Sequence, residues 1–77
     1  MNIDQLQVKL LANNVKPWAF SLNGGLPSEK FCIGQHKGKW EVYYSERGNK
    51  SELKVFTSEC SACQYFFDLI MSDPLAH

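Results

Sequence analysis

Cys60 and Cys63, three positions apart, are the first residues in this chain whose type and spacing could do chemistry. At a helix start such a pair has two uses. The helix N-terminus lowers a thiol pKa and favours redox exchange, or the pair supplies half of a zinc site. A zinc site needs two further ligands, and only Cys32, His36 and His77 remain to supply them. A thioredoxin-like pair follows a strand of a parallel sheet, and the strand pattern here predicts an antiparallel one. Cys63 falls on an apolar helical stripe, where a free cysteine behaves as a small core residue. No metal and no cofactor is expected.

The remaining reactive types are dispersed. His36 stands at a hairpin tip beside Lys37 and Lys39. A histidine base needs a nucleophile and an orienting acid within hydrogen-bond reach, and no serine or acid is placed to supply them. His77 lies in a terminal segment of the kind that frays. The glutamates Glu29, Glu41, Glu46, Glu52 and Glu59 are scattered, and no pocket-lining pattern accompanies Glu41 on its strand. Gly24-Gly25 is a turn and not a phosphate cradle, because no helix follows it. Catalysis is therefore not expected.

Two features suit binding instead. Tyr43 alternates with Val42 and Tyr44, so it points away from the face they bury. A tyrosine flanked by Glu41 and Ser45 offers large area with a hydrogen-bonding tip, the profile of an interface anchor. If the second helix covers that face, Tyr43 is partly buried instead. The run Ser45-Glu46-Arg47-Gly48-Asn49-Lys50 is a charged loop, in which Glu46 and Arg47 would orient a charged partner.

The elements that must position these residues are short and clear. Ile3, Leu6, Leu10 and Leu11 recur at helical spacing, with Asn2 as N-cap and Gln5 completing a capping box. Asn13-Asn14 and Pro17 end that helix. Trp18 to Leu22 alternates as a first strand, and Glu29 to His36 as a second. Lys37-Gly38 is a tight hairpin signal. Lys39 to Glu46 is the best strand, with Trp40, Val42 and Tyr44 on one face and Glu41, Tyr43 and Ser45 on the other. Arg47-Gly48-Asn49 turns the chain, and Ser51 to Phe56 is the fourth strand. Thr57 or Ser58 caps a second helix, on which Cys63, Phe66, Phe67 and Ile70 form the apolar stripe and which Asp73-Pro74 terminates. The order is α-β-β-β-β-α. It predicts an α+β domain over residues 1–77, a four-stranded antiparallel sheet flanked by an N-terminal and a C-terminal helix.

Composition bounds what such a domain can do. Its 77 residues suffice for one core, and eight basic side chains balance eight acidic ones. A general nucleic-acid binder needs surplus positive charge to displace counterions, so direct nucleic-acid binding is not expected. Near-zero net charge leaves self-association open. No segment approaches the roughly 20 apolar residues that span a bilayer, and Met-Asn-Ile-Asp does not begin a signal peptide. An odd count of three cysteines fits reduced thiols, so the expected compartment is the cytoplasm.

Three stretches carry a resemblance. Asn23-Gly24-Gly25-Leu26-Pro27-Ser28-Glu29 precedes the second strand. Trp40-Glu41-Val42-Tyr43-Tyr44-Ser45-Glu46-Arg47-Gly48 spans the third, and Ala62-Cys63-x-Tyr65-Phe66-Phe67 lies on the last helix. Together they resemble a group of small bacterial proteins, some of which look like immunity proteins that accompany secreted or contact-delivered toxins. The resemblance implies stoichiometric binding of a cognate toxin domain, often a nuclease, by occlusion of its active site or of an exosite. It implies that Glu29, Glu41 and Glu46 face the toxin's basic surface, with Tyr43 and Arg47 beside them. The zero net charge departs from strongly acidic nuclease inhibitors and leaves room for the exosite version. The alternative is a small non-catalytic homo-oligomeric or accessory interaction domain.

Overall fold

The computed structural model describes residues 1–27 and 29–72. The expected helix stop at Asp73-Pro74, and His77, lie outside the described residues, as does Ser28. Helix α1 spans Ile3–Ala12 and helix α2 spans Glu59–Met71, around strands β1 (Phe20–Ser21), β2 (Lys30–His36), β3 (Lys39–Glu46) and β4 (Asn49–Phe56). The strands form one sheet in the order β1-β2-β3-β4. This is the expected α+β architecture with a mostly antiparallel sheet.

Local chemistry accounts for the boundaries. The Asn2 side chain accepts from the Gln5 backbone N–H while Gln5 accepts from the Asn2 N–H, the reciprocal capping box. Ser58 Oγ accepts from the Ser61 N–H at 3.1 Å and starts α2. Both hairpins turn on two residues with positive φ: Lys37 (51°) and Gly38 (78°), then Arg47 (51°) and Gly48 (78°). That pair of angles makes a type I′ turn, whose twist matches the strands it joins.

The first strand differs from the sequence reading in length and in direction. Pro17–Ala19 forms a 3-10 turn with proline at its start, where the fixed φ suits a helical turn and the missing N–H costs nothing. Only Phe20 and Ser21 remain extended, and they pair parallel to Phe31 and Cys32 of β2. Parallel neighbours need a crossover. Residues 22–27 begin it by passing over the face of the sheet opposite the helices. Gly24 N–H donates to the Ile33 carbonyl at 3.1 Å and anchors that passage.

The two faces of the sheet are therefore both covered, by different things. On one face α2 packs Ala62, Cys63, Phe66 and Ile70 against Ile33 and Val42, and α1 adds Leu6 and Leu10 against α2. Glu59 accepts from the Ile3 N–H at 2.9 Å and pins the two helix starts together. On the other face the crossover lies over Cys32, Gly34, Tyr43 and Ser45. β4 pairs with β3 on one side only and is the exposed edge. Its register shifts between Val42 and Tyr44, where Glu52 takes a positive φ of 55°. A bulge and the charged Lys50, Glu52 and Lys54 are devices that discourage edge-to-edge pairing.

Candidate functional site

An open groove lies on the helix side of the sheet, next to the last turn of α2. A helix of this length reaches about 20 Å, whereas an eight-residue strand such as β3 reaches about 26 Å. Phe31 and Tyr44 lie on the core face, in the same groove as Leu69 of the last turn of α2. Their rings meet edge to face, with centroids 5.0 Å apart, and form an aromatic floor. Trp18 and Ala19, from the 3-10 turn, make one wall, and Leu69 of α2 makes another. The open groove between them measures about 570 Å³.

Its rim is acidic. Glu46 continues the alternation of Trp40, Val42 and Tyr44 on the same strand face, and Glu29 and Glu52 join it from β2's approach and from β4. Against these three carboxylates stands one ammonium, that of Lys16. The last turn of α2 carries no basic residue, so the negative end of its dipole has no side-chain cation against it within the helix. Trp18 is 69% exposed although tryptophan, present here only at 18 and 40, is the largest side chain available to a core. Exposed aromatic area beside concentrated negative charge is complementary to an apolar stem that ends in a cation.

The structure divides the five residues implicated by the sequence. Glu29 and Glu46 share the groove, and Arg47 is exposed on the turn that follows Glu46. Glu41 lies on the opposite face, paired with Lys50 at 2.8 Å. Its strand partner there is Val55.

Tyr43 is a correction. It is 2% exposed, and its hydroxyl donates to the Gly25 carbonyl at 2.5 Å. Ser45 does the same to the Pro27 carbonyl, also at 2.5 Å. The crossover, and not the second helix, covers this face, so Tyr43 is a clamp for that segment and presents no ring to a partner. Burial, with the nearby Cys32 and Glu41 adding to it, pushes the Tyr43 phenol up to about 12. Lys50 lies over its ring, 4.9 Å from the centroid.

The cysteine pair separates in the same way. Cys63 is fully buried in the core, and burial pushes its thiol up to about 11, the opposite of what a reactive thiolate requires. Cys60 is exposed, with its sulfur 3.4 Å from the N-terminal ammonium. His36 is exposed at the first hairpin.

The sequence pattern gives Trp18 only as a strand residue, Glu52 only as one of five scattered glutamates and Phe31 and Tyr44 only as core, and it does not point to Lys16. The available signal was length: the strands are longer than the second helix, so the aromatics at the end of the core face are only partly buried. Compared with known proteins, the chain matches no protein-family model, no curated protein sequence and no solved structure.

Proposed function

We propose that this chain is an immunity-type binding protein that engages a cognate toxin domain through the acid-rimmed groove and neutralises it without chemistry of its own. The observation that carries this reading is the groove itself: exposed Trp18 and the Phe31–Tyr44 floor are ringed by Glu29, Glu46 and Glu52. The chain is neutral as a whole, with eight charges of each sign, so the groove concentrates negative charge on one surface. Local complementarity of that kind orients a basic partner and speeds its capture. A nuclease domain, whose substrate cleft or neighbouring exosite is basic, fits the requirement. The resemblance of the Trp40–Gly48 run, with its companion stretches, to a group of small bacterial proteins, some of which look like immunity proteins, is in keeping with the same class.

The test is co-expression with the C-terminal domain of the protein encoded immediately upstream. Growth arrest by that domain alone, with rescue and co-purification when this chain is present, would support the reading. A harmless neighbour, or arrest without rescue, would remove it. A second reading, an assembly domain, draws on Leu53 and Val55, which are 43% and 52% exposed on the edge strand. Sedimentation at several concentrations separates the two, since only an assembly domain self-associates tightly without a partner.

A further inference from the structure

We infer that the occupant of the groove is an arginine side chain of the partner, in preference to lysine. The inference rests on the groove being a binding site, but its test does not need the partner. An arginine has a flat, weakly hydrated guanidinium that stacks on aromatic rings while its fork of N–H groups meets carboxylates two at a time. The groove offers both halves of that match. Trp18, Phe31 and Tyr44 supply ring surface, and Glu29, Glu46 and Glu52 approach from three separate segments of chain. A lysine ammonium is a compact, strongly hydrated charge that would use the carboxylates and leave most of the aromatic surface without a stacking partner. Lys16, the one cation among the described residues of the rim, lines the groove with Trp18 and favours a ligand that enters from the Glu46 and Glu52 side.

The size of the site agrees with one extended side chain and its backbone. An open volume of about 570 Å³ is in the range of small-ligand pockets, so an arginine side chain with its backbone fits within it.

Capped tripeptides test this directly, with glycine on either side of arginine, lysine or citrulline. Citrulline keeps the planar shape of arginine and removes its charge. The readout is the indole N–H resonance of Trp18 in 15N-labelled protein, assigned with Trp18→Phe. The arginine peptide should shift that resonance in a saturable way. Lysine should bind at least about threefold more weakly, citrulline not measurably, and Glu46→Lys should weaken arginine binding by about tenfold or more, equivalent to about 1.4 kcal/mol. Lysine binding as tightly as arginine, or arginine binding unchanged by Glu46→Lys, would overturn the inference, as would no shift at 10-millimolar-scale peptide. If the arginine peptide binds but toxin rescue fails, the immunity reading falls alone. If rescue survives in Glu46→Lys protein that no longer binds the peptide, the arginine site is unrelated to protection.

Discussion

Replacing Gly34 with alanine would place a methyl carbon 2.7 Å from the Gly24 Cα and 3.0 Å from the Gly24 nitrogen. Both neighbours are backbone, so no side-chain rotation relieves the contact. In an ordinary strand the same change stabilises by roughly 0.5–1 kcal/mol, because alanine loses less freedom on folding. Here the crossover must lift, and overpacking of this kind costs about 1–3 kcal/mol. Lifting also pulls the Gly25 and Pro27 carbonyls away from the Tyr43 and Ser45 hydroxyls. A buried hydroxyl left unsatisfied costs about 1–3 kcal/mol, less where water follows the loop out. The balance is a destabilisation of about 2–4 kcal/mol, and each kcal/mol moves Tm by about 4–8 °C in a domain of this size. Thermal unfolding followed by circular dichroism measures it. A Gly34→Ala protein as stable as the wild type would refute the crossover packing. A double-mutant cycle sharpens the test: Tyr43→Phe should cost about 1 kcal/mol in the wild type and much less once Gly34→Ala has displaced the acceptor.

Other expectations follow from the same contacts. The Tyr43 phenol is raised from 10.0 to about 12, so its protonated form contributes stability in full below about pH 10 and loses it as pH rises through about 12. Cys63, raised from 9.0 to about 11, acts in the same direction. Tm should change little from pH 7 to about 9 and fall above it, and a fall equally steep in Tyr43→Phe would show that Tyr43 is not the cause. Trp18→Ala should leave stability within about 0.5 kcal/mol, since the ring is exposed, while it reduces binding of the arginine tripeptide by tenfold or more. A larger loss of stability in urea unfolding would make Trp18 a packing residue. Ser58→Ala should cost about 1 kcal/mol by uncapping α2, read from the same urea curves, and no change would show that the cap contributes nothing.

Elements with local signals were legible in the sequence. The capping box at Asn2 and Gln5, the tight turn at Lys37-Gly38 and the stripe of α2 each depend on residues close together in the chain, and each is found where the pattern places it, whereas the turn expected over Arg47-Gly48-Asn49 closes on Arg47 and Gly48 alone, so β4 begins at Asn49 and not at Ser51. β3 runs from Lys39 to Glu46 as its alternation predicts. The failures are non-local. Period-two alternation at Trp18–Leu22 reads as a strand, yet Pro17 starts a 3-10 turn and only Phe20–Ser21 pairs, in parallel. That reversal sends the crossover over the Tyr43 face, and no spacing of Tyr43 within its own strand could reveal a cover made by residues 22–27. Of the candidate site, Glu29 and Glu46 were legible as exposed acids. Their convergence with Trp18 and Glu52 was not, because it follows from where α2 ends relative to the sheet.

The most direct test of the groove as the binding surface is protection by two variants that differ in the face they alter. Glu29→Lys/Glu46→Lys reverses the groove's charge, and Glu41→Gln removes the acid on the opposite face, with Tm recorded for both. Each is co-expressed with the upstream toxin domain and scored for growth and co-purification. The groove assignment predicts a folded double variant that neither rescues growth nor retains the toxin, beside a Glu41→Gln protein that does both. Full rescue by the folded double variant, with loss of rescue in Glu41→Gln, would place the interface on the other face of the sheet.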